Sequence, residues 1–128
     1  WLSKKNLNFL SNQEYQLYLF TPDREKIYNQ VNQRFINMID SGAIDEVKKL
    51  NTLDFDKSLP IMRAHGVPEI SNYLSGKTTL EECIRKGQQV TRNYVKRQLT
   101  WWRSSSLENL KCFDQFPSEI DTKLLNFS

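Results

Sequence analysis

The 128-residue chain has two cysteines and one histidine, His65. That is too few for a four-ligand zinc site, and Cys83 and Cys112 make no disulfide framework. Cys83 falls on a periodic apolar face and reads as a small core residue. With four glycines in all, no glycine-rich phosphate loop is available. Residues 75–78, "SGKT", match the end of such a loop, but the glycine needed five positions before Gly76 is Ser71. The preceding "EISNYL" also reads as helix where a strand is required, so a glycine helix stop ahead of a threonine-capped helix is the plainer reading. No segment approaches the roughly eighteen consecutive apolar residues of a membrane span. The N-terminal "WLSKKNLNFLSNQEYQ" lacks the apolar core and cleavage pattern of a secretory leader, so a cytoplasmic location is expected. Internal repeats and low-complexity tracts are absent too. One further shortage is local: between Cys83 and Leu107 there are six Lys or Arg residues and no Asp or Glu, although the net charge of the chain is only +3. That asymmetry points to an anionic partner more than the total does.

What is present suits one globular domain, with 38% hydrophobic and 12% aromatic residues. The pattern is mainly α, with about five helices and one strand. "YQLYLF", at about 15–20, reads as the strand, and "TPD" after it as a helix start, with Thr21 as N-cap and Pro22 in the first turn. Ile27, Val31, Phe35 and Met38 or Ile39 then recur at helical spacing up to a stop at Ser41 and Gly42. Ile44, Val47 and Leu50 suggest a second, shorter helix. In "LPIMRAHGVPEISNYLSG" a helical turn is interrupted at Gly66, and Pro68 opens a new helix that stops at Gly76. Thr79 and Glu82 form a capping box for the longest helix, roughly Leu80 to Arg103. The segments are therefore 1–20 with the strand, a helical region 21–104, and a peripheral tail 105–128.

On a helical wheel Arg85, Arg92, Lys96 and Arg103 fall within about 20° of one line, a stripe roughly 27 Å long. Lys86, Asn93 and Arg97 widen this polar face. Leu80, Cys83, Gly87, Val90, Tyr94 and Trp101 sit opposite, so Tyr94 and Trp101 read as packing residues. A cationic stripe on a helix can be simple solvated surface. The missing acidic partners at four-residue spacing favour an anion-binding face, and the wheel alone leaves both readings open.

The segment "TRNYVKRQLTWWR" resembles the TR-x-Y-A-K-R-Q-x-T-W-x-R segment of bacterial tRNA dimethylallyltransferases. "REKIYNQVNQRFINMIDSGAIDEVKKL" is similar to their R-x-x-L-x-x-R-I-x-x-R-F-x-x-M-x-x-x-G-x-x-x-E-V-x-x-L. "LPIMRAHGVPEISNYLSG" is similar to L-P-x-M-R-A-I-G-Y-K-E-x-x-x-Y-L-x-G. Together the matches cover about residues 20–103 in order. The departures are Gln30 in place of an arginine, and Val67 and Pro68 in place of Tyr-Lys.

The resemblance implies the C-terminal part of a P-loop-like α/β enzyme that transfers a dimethylallyl group from dimethylallyl diphosphate to N6 of the adenosine 3′-adjacent to the anticodon. In the family a preceding P-loop half supplies the diphosphate cradle, a Mg2+ site and a catalytic aspartate. The chain seen here is then expected to be incomplete and inactive alone, its strand joining the sheet of that half. Arg34, the arginine of the R-F pair, is implied at the diphosphate leaving group, where a guanidinium stabilises developing charge. Contacts with the tRNA anticodon stem-loop are implied at Arg63, His65 and Gly66 in the "RAHGVP" turn and at Arg92, Lys96, Arg97, Gln98, Thr100 and Arg103 on the long helix. The Mg2+ ligands are expected outside this chain, and neither membrane nor DNA is an expected partner. The alternatives are a non-catalytic helical RNA-binding module and an inactive fragment.

Overall fold

The computed structural model describes residues 16–104 and 110–120. They divide into two compact units, Asp23–Ser105 and the two flanking segments.

In the flanking unit, β1 (Leu17–Phe20) pairs in parallel with β2 (Leu110–Phe113), Leu17 opposite Leu110 and Phe20 opposite Phe113. The Thr21 N–H extends the ladder by donating to the Phe113 carbonyl at 2.7 Å. The Phe20 and Phe113 rings stack 5.4 Å apart. Lys111 Nζ lies 5.9 Å from the centre of the Tyr18 ring. Parallel strands need a long crossover connection, and here the whole helical unit is that connection. The sequence pattern leaves 105–128 as a tail because β2 is only four residues of weak period; its partner lies 93 positions away in sequence, so strand formation there is a tertiary event. After β2 a 3-10 turn (Pro117–Glu119) leads to the buried Ile120, and residues 1–15, 105–109 and 121–128 lie outside the described residues.

The helical unit opens with α1 (Arg24–Met38), whose N-cap is Asp23, its Oδ1 accepting from the Glu25 N–H at 2.8 Å. This corrects the expected Thr21 cap: Thr21 is still in the strand ladder, and the carboxylate two residues on reaches the free amides of the first turn. A wide turn over Ile39–Ala43, with Gly42 at φ 103°, ends α1 and leads into α2 (Ile44–Thr52). A 3-10 turn (Pro60–Arg63) precedes α3 (Val67–Leu74), and α4 runs from Leu80 to Ser104. The expected Thr79–Glu82 capping box is present, at 3.1 and 3.2 Å. After α3, the Gly76 N–H donates to Tyr73 O and the Lys77 N–H to Asn72 O, so "SGKT" is a glycine helix stop with no strand before it. The described residues thus hold four α-helices and two strands, where about five helices and one strand were expected.

The core joins Phe35 and Ile39 of α1 and its turn with Ala43, Val47, Ile70 and Cys83. Its tightest point is Gly87. A Cβ there would run into the Phe35 ring, so the absent side chain is what lets α4 lie flat on α1. Gly66 is held twice over: its φ is 96°, and a Cβ would come within 3.0 Å of the Met38 side chain.

Candidate substrate and nucleic-acid site

Where α1, the turn before α3 and the middle of α4 converge, they leave a cavity of about 410 Å³. The first helix contributes Val31, Phe35 and Met38 as an apolar floor and Arg34 at the lip; the turn contributes His65, and α4 contributes Thr91 and Tyr94. Helical spacing explains the α1 side, because positions 31, 34, 35 and 38 share one face. Arg34 is exposed and has no hydrogen-bond or ion-pair partner among the described residues. It also lines an adjoining opening with Gln30, Gln33 and Asn37. The imidazole of His65 meets Tyr94 edge to face, centroids 5.2 Å apart at 82°. The Arg97 guanidinium stands 5.8 Å from the centre of that same Tyr94 ring. The Thr91 hydroxyl is committed, donating to Gly87 O at 2.8 Å.

The "RAHGVP" turn therefore splits. His65 faces the Arg34 cavity and Gly66 is buried beneath it. Arg63 opens instead into a second cavity of about 510 Å³, together with Phe55, Lys57 and Lys77.

Along α4 the cations divide as well. Lys96, Arg97, Gln98, Thr100 and Arg103 are exposed, the Thr100 hydroxyl donating to Lys96 O. Arg92 is half-buried: its two terminal nitrogens donate to Asn32 Oδ1 at 2.7 Å and Gln89 Oε1 at 2.8 Å. Among the described residues no carboxylate pairs with a cation of this helix.

The wheel's assignment of Tyr94 and Trp101 to packing is corrected. They are 43% and 59% exposed, and Val90 is 37% exposed. Beyond Gly87 the half-buried line runs through Gln88, Thr91, Arg92, Val95, Leu99 and Trp102. A wheel ranks residues by polarity, whereas the packing partner, α1, accepts polar ones through hydrogen bonds; Gln88 Nε2 donates to Asn32 O at 3.2 Å. Tyr94 and Thr91 are thus cavity residues the sequence pattern alone did not single out. The available signal was Tyr94 lying three residues before Arg97, one helical turn away.

No group of three or more His, Cys, Asp or Glu side chains that could hold a metal occurs among the described residues. Burial raises the Cys83 thiol above the usual range, with the Glu69 carboxylate adding to the effect.

As a class, this is a helical unit with an amphiphilic cavity beside a long helix whose outer half carries exposed cations and aromatics and no acidic residue. The chain belongs to the IPP transferase family, whose model matches residues 2–105. It is 48% identical over 104 residues to the tRNA dimethylallyltransferase of Wolbachia sp. subsp. Brugia malayi (strain TRS), covering 81% of this chain and 34% of that protein. With the tRNA dimethylallyltransferase of Ehrlichia ruminantium (strain Welgevonden) the identity is 43% over 117 residues, 88% of this chain and 36% of the relative. The chain thus spans about a third of the length of these relatives. Among solved structures, the full-length tRNA isopentenylpyrophosphate transferase of Bacillus halodurans superposes with a TM-score of 0.74 at 32% identity, over 92% of this chain and 40% of that one. A Staphylococcus epidermidis tRNA delta(2)-isopentenylpyrophosphate transferase gives 0.70 at 26% identity, over 85% and 34%. No helix among the described residues is long and apolar enough to cross a membrane.

Proposed function

We propose that this chain is the tRNA-holding and leaving-group-assisting part of an enzyme that prenylates N6 of the adenosine next to the anticodon. The observation that carries this reading is the single cavity lined by Arg34, His65 and Tyr94, next to the carboxylate-free half of α4. In the reaction the adenine amine attacks the allylic carbon, the carbon–oxygen bond breaks, diphosphate leaves with the bonding pair, and the amine gives up a proton. The apolar floor of Val31, Phe35 and Met38 suits a five-carbon chain, and the guanidinium at the lip suits the oxygen that gains charge. An arginine can offer two parallel N–H donors to that diphosphate. The diphosphate cradle, the Mg2+ and the base are assigned to parts of the enzyme other than these residues.

The reacting adenine has to leave its stack in the loop. Splayed bases are held by stacking on aromatic rings and by cations on their phosphates, and α4 presents Tyr94 and Trp101 among Lys96, Arg97 and Arg103 for that purpose. A test uses the protein expressed from its complete reading frame. Arg34→Gln should lower kcat by about a hundredfold while tRNA affinity stays within about a factor of two. Undiminished turnover would remove Arg34 from the leaving group. Tight tRNA binding by the wild type with no prenyl transfer would favour a binding module instead.

A further inference from the structure

We infer that Arg92 is a positioning residue that fixes the Arg34 wall of the cavity, and that it does not grip tRNA phosphate. Sequence pattern places Arg92 in line with Lys96 and Arg103, but its environment differs from theirs. Both ends of its guanidinium fork are spent on amide oxygens, Asn32 Oδ1 across the helix interface at 2.7 Å and Gln89 Oε1 on its own helix at 2.8 Å. Gln89 is itself oriented, its Nε2 donating to Asn93 Oδ1 at 3.0 Å. One helical turn before Arg92, Gln88 donates to the backbone carbonyl of Asn32. Two consecutive turns of α4 therefore hold one residue of α1, by side chain and by backbone.

Asn32 stands between Val31 and Arg34, both of which line the cavity, and Arg92 stands between Thr91 and Tyr94, which line it from the other side. The bonds thus set the distance between the two walls and the rotation of α1 that aims Arg34. A small displacement there is costly, because a misplacement on the order of 1 Å at a reacting centre can lose about a hundredfold in rate.

The inference rests on the reading of Arg34 given above, and its test separates the two. In the complete enzyme, Arg92→Gln and Asn32→Ala should each lower kcat by about tenfold or more, with tRNA KM and the slope of log affinity against log salt unchanged. The double variant should be no slower than the worse single one, since both remove the same bond. Asn32→Asp keeps an acceptor at the same place and should retain kcat, a rescue that loss of helix packing would not show. The inference is overturned if Arg92→Gln lowers the salt slope by about one phosphate contact while Asn32→Ala leaves kcat untouched. It is equally overturned if Asn32→Asp weakens tRNA binding, which would mean that the new carboxylate had captured an RNA-facing cation. If the Arg34→Gln enzyme turns over normally, the leaving-group reading falls by itself, and the Arg92–Asn32 cycle still reports whether the pair acts on kcat or on RNA.

Discussion

Gly87 shows how much one absent side chain can decide. Alanine there would gain about 1 kcal/mol of helix propensity, yet its Cβ would occupy the place of the Phe35 ring, which is 4% exposed and central to the core. The ring would have to leave its rotamer, an overpacking strain of typically ~1–3 kcal/mol to which lost burial adds. Gly87→Ala should therefore lower stability by a net ~2 kcal/mol, read as a drop in the urea midpoint with unchanged slope. The two thiols make a second prediction. Cys112 is exposed and Cys83 fully buried, so a thiol reagent should modify one cysteine quickly and the other only on unfolding. Because the folded state holds the Cys83 proton more tightly than the unfolded chain does, the stability linked to it is complete below the ordinary thiol range and is lost as pH rises through the raised value. Cys83→Ala should flatten that alkaline loss in a pH series of urea melts.

At the scale of elements, α4 divides into two halves by burial and charge. Its first half is core, covered through Cys83 and Gly87; its second half carries exposed cations and aromatics with no acidic residue among them. Replacing Lys96, Arg97 and Arg103 together by glutamine should weaken tRNA binding and reduce the salt slope by about 2, at roughly 0.7 per contact with single-stranded phosphate. An unchanged slope would show these residues to be ordinary solvated surface. The strand pair is the opposite case. Leu17–Phe20 was legible as a strand from its aromatic-rich run, whereas Leu110–Phe113 was not, and each four-residue strand is completed by pairing with the other.

At the scale of the molecule, the helical unit has its own core from Phe35 to Cys83 and holds the whole candidate site. Residues 23–105 expressed alone should unfold cooperatively and bind tRNA with the same salt slope as the longer chain; a non-cooperative melt would show that the flanking segments are needed for the core. Much of this was legible beforehand, because it rests on local chemistry: the Thr79–Glu82 capping box, the glycine stops at Gly42 and Gly76, the helical period of α1, and the family motifs that name Arg34. These need only neighbours within a turn or two. What could not be read locally was which face of α4 meets α1, because that depends on Gly87 admitting a ring and on Asn32 taking hydrogen bonds from Gln88 and Arg92. Sequence by itself therefore determined the helices, the shortage of acid along α4 and the family. Only the tertiary structure turned Tyr94 outward to His65, tied Arg92 down beside Arg34, and parted Arg63 from His65, since each of these depends on contacts between residues far apart in the chain.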